Sequence, residues 1–145
     1  MTCHVQIACS KTAGIPTKKS IQTLYQFLKT QFDIAKDTFT IRIVDAKESQ
    51  YLNKTFRHKD KPTNVLSFPE TNDLALCHPV IQEEALSQNK PIAHHYTHLI
   101  IHGVLHLLGY NHEIETEAAE MENLEIELLK MLNIPNPYED QQHGT

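Results

Sequence analysis

Three histidines in one short stretch have the spacing of metal ligands. His102 and His106 lie four residues apart, and His112 follows in the same segment, HGVLHLLGYNH. Residues four apart on a helix are separated by about 40° around the axis and about 6 Å along it, so these two imidazoles can point at one ion. His112 can reach that ion only if the chain turns back, and Gly109 lies where a positive φ would end the helix. The spacing therefore predicts a three-histidine metal site.

The ligand types indicate what such a site would do. Three neutral histidines leave zinc one open position, which is the catalytic arrangement, and such an ion polarises a carbonyl or phosphoryl oxygen and lowers the pKa of bound water to about 7. A metalloprotease of the H-E-x-x-H type has its general base beside the first ligand, but that position is Gly103 here, so a peptidase is disfavoured. His98 lies four residues before His102, so a packed row of core histidines is the alternative.

Length and composition favour an ordinary globular chain. A chain of 145 residues predicts one domain over residues 1–145, and 40% hydrophobic with 21% charged residues is typical of a soluble protein. The three cysteines, Cys3, Cys9 and Cys77, form no C-x-x-C pair and no disulfide framework. The sequence shows neither a signal-peptide pattern nor an apolar run long enough to cross a bilayer. We therefore expect a cytoplasmic protein with reduced thiols and no membrane partner.

The net charge of −5 is unevenly distributed. Residues 113–127 contain seven glutamates and no lysine or arginine, which we interpret as an amphipathic helix with a solvated acidic face. A local basic patch, opposed only by Asp60, consists of Lys54, Arg57, Lys59 and Lys61. Such a patch is suited to binding phosphate. The charge alone is equally consistent with lysines that are only solvated at the end of a helix.

Hydrophobic periodicity predicts the elements that position these residues. The predicted strands are 4–9, 39–44, 65–68 and 74–77. Helices are predicted from Pro16, from a cap at Asp45 into the basic patch, over 80–89, over 91–108 and from Thr116 to Pro135. The helix with the histidines is apolar on nearly every side, so it should be the buried central helix. The order of these strands and helices along the chain predicts an α/β (α+β) fold, with a small mixed four-stranded sheet packed with about five helices.

Two details of the second helix follow from local rules. Asp45 followed by Glu48 has the pattern of a capping box. Tyr51, Leu52 and Phe56 are spaced to form the buried side of that helix.

Beyond these patterns, two segments resemble one family. HGVLHLLGYNH is similar to the H-G-x-L-H-L-x-G-Y-D-H signature of the YbeY family, the bacterial rRNA maturation factors. Residues 52–69, LNKTFRHKDKPTNVLSFP, resemble that family's middle segment, and 73–77 resemble its fourth-strand motif. The acidic helix ending near 136–138 fits as well, so the resemblance covers about residues 40–138. Asn111 stands where the family usually has Asp, and Asn72 stands where it usually has Gly.

The resemblance implies a zinc-dependent, single-strand-specific endoribonuclease. It implies one zinc ion per chain bound by His102, His106 and His112, and it matches Arg57 to a functionally important arginine, whose planar fork suits phosphate. The implied role is maturation of the 3′ end of 16S rRNA, ribosome biogenesis and ribosome quality control. The implied partners are single-stranded RNA, the small ribosomal subunit and assembly factors, not DNA. Lys54, Lys59 and Lys61 would then contact RNA.

Several alternatives remain open at this point. The general base could be Glu70, Glu113 or His98, or the RNA 2′-hydroxyl could attack without a protein base. The protein could instead be a non-catalytic ribosome-assembly factor with a structural zinc, or a metal-dependent hydrolase of a small amide or ester.

Overall fold

The computed structural model describes residues 2–34, 38–110 and 115–138. Over these residues the chain forms four strands and five helices. Their bounds are β1 (Thr2–Ala8), α1 (Lys18–Gln31), β2 (Thr38–Val44), α2 (Ala46–Arg57), β3 (Val65–Phe68), β4 (Asp73–Cys77), α3 (His78–Ser87), α4 (Ile92–Leu107) and α5 (Glu115–Met131). The predicted fold class is confirmed, and the predicted element bounds are displaced by one or two residues at most ends.

The four strands form one mixed sheet in the order β1-β2-β4-β3. The pairs β1–β2 and β2–β4 are parallel, whereas β3 runs antiparallel to β4. Alternate strand residues point to one face of the sheet and form the core there with α1, α4 and α5. On β2 these are Phe39, Ile41 and Ile43, while Thr40 and Arg42 point to the opposite face and are only partly buried.

Helix α4 is the central helix, as predicted, and it lies very close to β4. Ile100, Ile101 and Leu105 are at most 1% exposed. A Cβ atom on Gly103 would lie 2.7 Å from Cδ2 of Leu74, so a larger residue there would require the Leu74 side chain to move. Gly103, at the position of the metalloprotease glutamate, allows the close approach of α4 to β4 without that rearrangement.

The prediction for the inner side of α2 is wrong for Tyr51 and Phe56, whereas Leu52 is partly buried. The side chains of Tyr51 and Phe56 are 64% and 52% exposed, and the buried residues of the helix are Ser49 and Asn53. Ser49 Oγ donates to the carbonyl of Thr63 and accepts from its N–H, both at 3.0 Å. Asn53 Nδ2 donates to the carbonyl of Lys61 at 2.9 Å. The inner side is polar because it satisfies the main chain of the following loop.

The predicted capping box is also wrong. Asp45 occupies the N-cap position of α2, but its side chain makes no capping hydrogen bond. Its Oδ1 instead accepts from the Cys9 thiol at 3.1 Å and from the Ser10 N–H at 3.4 Å. Glu48 forms a bidentate ion pair with Arg42 on the neighbouring strand. The two carboxylates therefore bind groups on neighbouring segments, and neither caps the N-terminus of α2.

The chain reverses after α4 at Gly109, where the sequence predicted a positive φ. The φ of Gly109 is 104°. The N–H of Gly109 donates to the carbonyl of His106 at 3.0 Å, and the N–H of Tyr110 donates to that of Leu105 at 3.1 Å. These bonds satisfy carbonyls at the helix end and bring the main chain back toward His106. None of the helices within the described ranges is long and apolar enough to span a bilayer.

Gly109→Ala should destabilise the protein by about 1–2 kcal/mol, because an L-residue is strained at this φ although the space beside Gly109 is open. The measurement is the free energy of unfolding in urea. Asn133→Gly is the matched control, since Asn133 has a φ of 62° and glycine accepts that conformation. Equal stability of Gly109→Ala and the wild type would contradict the strain argument.

Candidate metal centre and basic cleft

His102 and His106 are brought together on the face of α4. Their Nε2 atoms lie 3.1 Å apart. Two nitrogens bound to one tetrahedral zinc at 2.0–2.1 Å would be about 3.3 Å apart. The described structure therefore places two of the three predicted ligands at the separation that a shared ion requires.

The partners of the two Nδ1 atoms define the orientation of each ring. His106 Nδ1 lies 3.0 Å from the carbonyl oxygen of Tyr110, which can only accept, so this nitrogen carries the proton. His102 Nδ1 lies 3.2 Å from Oε2 of Glu125 and donates to that carboxylate. The Nε2 atoms of the two rings therefore face each other. Two imidazole nitrogens at this separation form a donor set that fits a metal ion.

Glu125 is a functional residue that the sequence analysis missed. It lies on α5 and is 0% exposed, in contrast to the solvated acidic face that we predicted for this helix. Besides His102, its carboxylate accepts from His98 Nε2 and from the Tyr138 hydroxyl, the latter at 2.7 Å. Burial alone would raise the pKa of Glu125, but the hydrogen bonds from His102 and His98 outweigh it and lower that pKa to about 2. The ionised carboxylate therefore orients the His102 ring.

One signal in the sequence could have identified Glu125. It lies four residues after Met121 and three before Leu128, in the same helical register as these buried residues. A glutamate within an apolar stripe needs a buried partner, whereas its neighbours Glu122 and Glu127 are exposed.

A second donor set overlaps with the first. The ligand atoms of His98, His102 and Glu125 all lie within 4.8 Å of one another. An ion there would displace the hydrogen bonds that Glu125 already accepts from three donors, whereas an ion between His102 and His106 would leave them in place. Since the two sets share His102, variants of Glu125 and His106 distinguish them.

Three of the residues singled out in the sequence lie outside the described residues. These are His112, Asn111 and Glu113. His112 as the third ligand therefore stays a prediction, as does Glu113 as a general base.

Three residues of the predicted basic patch and the histidine pair line one cavity, which we call the basic cleft. It has a volume of about 610 Å³, and its walls include Arg57, Lys59, Lys61, His102 and His106. The two lysines belong to the loop that Asn53 holds through hydrogen bonds with the main chain of residues 59 and 61. The polar inner side of α2 thus positions positive charge opposite the candidate metal ligands.

Arg57 is fixed at the end of α2. Its Nη2 donates to the carbonyl of Ser67 at 2.6 Å, and its Nη1 donates to that of Phe56 at 3.1 Å. Its guanidinium also lies over the ring of Phe68, 5.4 Å from the centroid. These contacts leave other guanidinium N–H groups without an acceptor in the described part of the chain, so they can donate to a ligand in the basic cleft.

The remaining candidates are not among the described residues that line the basic cleft. Lys54 is not among the residues that line the basic cleft, and its ammonium lies 3.9 Å from exposed Asp60. Glu70 lines a different cavity, on the other side of Arg57. His98 lines a cavity of about 200 Å³ that is next to the basic cleft and shares His102 with it.

The fold and this site define a mixed α/β protein with a histidine pair, the candidate metal ligands, in a basic cleft. The family model of the endoribonuclease YbeY matches residues 6–133, and the chain belongs to that family. Its members are hydrolases that cut RNA and take part in rRNA processing. The solution structure of TM1509 from Thermotoga maritima has a similar fold, with a TM-score of 0.58 and 23% identity over 89% of this chain and 91% of that one.

Glu125→Gln should weaken metal binding by about 10–100-fold without abolishing it, because the amide no longer orients His102 as a charged acceptor. The measurement is metal affinity by competition with a chromophoric chelator, with unfolding followed in parallel. Glu122→Gln, exposed on the same helix, is the control and should bind metal as the wild type does. Complete loss of metal in Glu125→Gln would instead indicate that the carboxylate is itself a ligand.

Proposed function

We propose that this protein is a zinc-dependent endoribonuclease that cuts single-stranded RNA, with 16S rRNA as its substrate. The observation that carries the proposal is the basic cleft, in which Arg57, Lys59 and Lys61 lie on the same cavity as His102 and His106. Family membership supports the reaction class. We further propose that it acts in 3′-end maturation, ribosome biogenesis and quality control, with the small subunit and assembly factors as partners. The buried free thiols suit a reducing compartment, so we place it in the cytoplasm.

In this proposal the residues of the site have separate roles. His102 and His106, with His112 as the predicted third ligand, would hold the ion. Zinc bound there would supply a Lewis acid for a phosphoryl oxygen and lower the pKa of a bound water. Arg57 donates to the scissile phosphate and balances the charge that develops on it. Because the carbonyls of Phe56 and Ser67 already hold its guanidinium, the Arg57 side chain loses less conformational freedom when RNA binds.

Lys59 and Lys61 position the RNA backbone in this scheme. Phosphate contacts set the register of a nucleic acid without reading its sequence, and they make affinity depend on salt. The two lysines come from one short loop on the wall of the basic cleft, so they are suited to neighbouring phosphates of one strand.

Arg57→Ala should lower cleavage of single-stranded RNA by about 100-fold, because it removes a donor that acts on the transition-state charge. Arg57→Lys should recover only part of this activity, since an ammonium lacks the planar fork. Initial rates with saturating zinc provide the measurement, and metal content should be unchanged in both variants. Wild-type rates in Arg57→Ala would exclude this role for the arginine.

Lys59→Ala and Lys61→Ala should each weaken RNA binding and reduce the slope of log affinity against log salt by about 0.7. Fluorescence anisotropy with labelled single-stranded RNA at several salt concentrations measures both quantities. Lys54→Ala is the comparison, because that side chain is exposed, pairs with Asp60 and lies outside the lining of the basic cleft. A slope change in Lys54→Ala equal to the others would extend the RNA contact to Lys54, as the sequence predicted. Unchanged slopes in all three would contradict a phosphate contact by this patch.

A further inference from the structure

A second large cavity lies on the opposite side of Arg57 from the candidate metal ligands. We call it the aromatic groove; its volume is about 790 Å³ and its walls include Phe56, Arg57, Phe68, Arg42 and Asp73. It is formed between α2 and the sheet face that points away from the core. This volume is within the range of sites that bind small organic groups.

Arg57 is the residue that the two cavities share. Since its guanidinium bonds to the carbonyl of Ser67 on β3, it lies at the boundary between the basic cleft and the aromatic groove. A strand whose phosphate contacts Arg57 in the basic cleft would have its neighbouring nucleotide next to the groove.

Aromatic side chains form the entrance to the aromatic groove at this boundary. The rings of Phe56 and Phe68 meet edge to face with centroids 5.4 Å apart, and Arg57 lies over Phe68. The Phe56 side chain is 52% exposed, which leaves ring surface open to a ligand. Proteins that bind single-stranded nucleic acids combine a basic surface for the backbone with exposed aromatic rings on which bases stack.

A carboxylate on the wall of the aromatic groove favours a base over a phosphate at that point. Glu48 forms a bidentate ion pair with Arg42, and the wall also contains the carboxylate of Asp73. Carboxylates repel phosphate, but they accept hydrogen bonds from the amino groups of bases. The occupant that fits both aromatic and acidic walls is therefore a nucleobase whose phosphate remains in the basic cleft.

We propose that the aromatic groove binds one unstacked base of the RNA strand, stacked on Phe56, while the backbone of that strand lies in the basic cleft. The proposal rests on the RNA-cutting function proposed above and gives it a physical basis for selecting single strands. In a duplex each base is paired and stacked within the helix, so it cannot enter the groove without being flipped out.

The test uses a series of short labelled single-stranded RNAs in which one nucleotide at a time lacks its base. Anisotropy titrations are made with the full chain carrying His106→Ala, so that the probe is not cut. One abasic position should weaken binding by about tenfold or more, and Phe56→Ala should weaken binding of the intact RNA by a similar factor. In Phe56→Ala the penalty at that abasic position should disappear, because the stacking partner is already absent.

Matched variants separate stacking from a general effect. Phe56→Tyr retains an aromatic ring and should bind as the parent does. Tyr51→Ala removes an exposed ring of the same helix that is not among the described residues lining either cavity, so it should have no effect. The salt slope in Phe56→Ala should be unchanged, since no charge is removed.

The proposal is overturned if Phe56→Ala binds intact RNA as tightly as the parent and shows the same abasic profile. The aromatic groove would then be a surface for another class of partner, such as a protein segment. Failure of both the parent and the zinc-loaded wild type to bind any single-stranded RNA would instead overturn the proposed function, and with it this proposal. Loss of binding with an altered salt slope or a lowered melting temperature in Phe56→Ala would also count against a stacking role.

Discussion

The buried carboxylate of Glu125 is the interaction on which the candidate metal centre depends. An ionised group without exposure to water is costly to bury unless donors surround it, and here His98, His102 and Tyr138 supply them. These donors come from α4 and from the segment after α5, so one carboxylate joins α5 to the central helix. The same bond fixes the proton on His102 Nδ1 and directs Nε2 toward His106. Packing, electrostatics and the geometry of the candidate metal ligands are coupled at this residue.

A second constraint connects α2 to the rest of the site. Its inner side is polar because Ser49 and Asn53 satisfy the main chain of the loop that carries Lys59 and Lys61. The aromatic residues of the helix are consequently turned outward, toward solvent or the aromatic groove. One arrangement thus accounts for both the positive wall of the basic cleft and the exposed ring of Phe56.

The sequence predicted those features that depend on local periodicity or spacing. The alternation of β2, the burial of the largely apolar α4, the proximity of His102 and His106 and the positive φ of Gly109 are all local properties, and the structure confirms them. The features that it missed depend on partners distant in the chain. Asp45 has the right position for a helix cap, but its carboxylate binds Cys9 and Ser10. Glu125 was predicted to be solvated with the other glutamates of α5, because the histidines that bind it lie on another helix. The role of Arg57 came from family resemblance, and a single domain over 1–145 stays a prediction.

The most direct test of the account is zinc content and RNA cleavage measured on the same samples of wild type, His106→Ala and His98→Ala. The account predicts one zinc per wild-type chain, cleavage of single-stranded but not duplex RNA, and loss of both zinc and cleavage in His106→Ala. His98→Ala should retain zinc at saturating concentration, because His98 contacts the orienting carboxylate rather than the ion. Stoichiometric zinc and wild-type cleavage in His106→Ala, with zinc lost in His98→Ala, would contradict the account and move the metal to His98, His102 and Glu125. Bound zinc without cleavage by the wild type would point to a ribosome-assembly factor whose basic cleft only binds RNA.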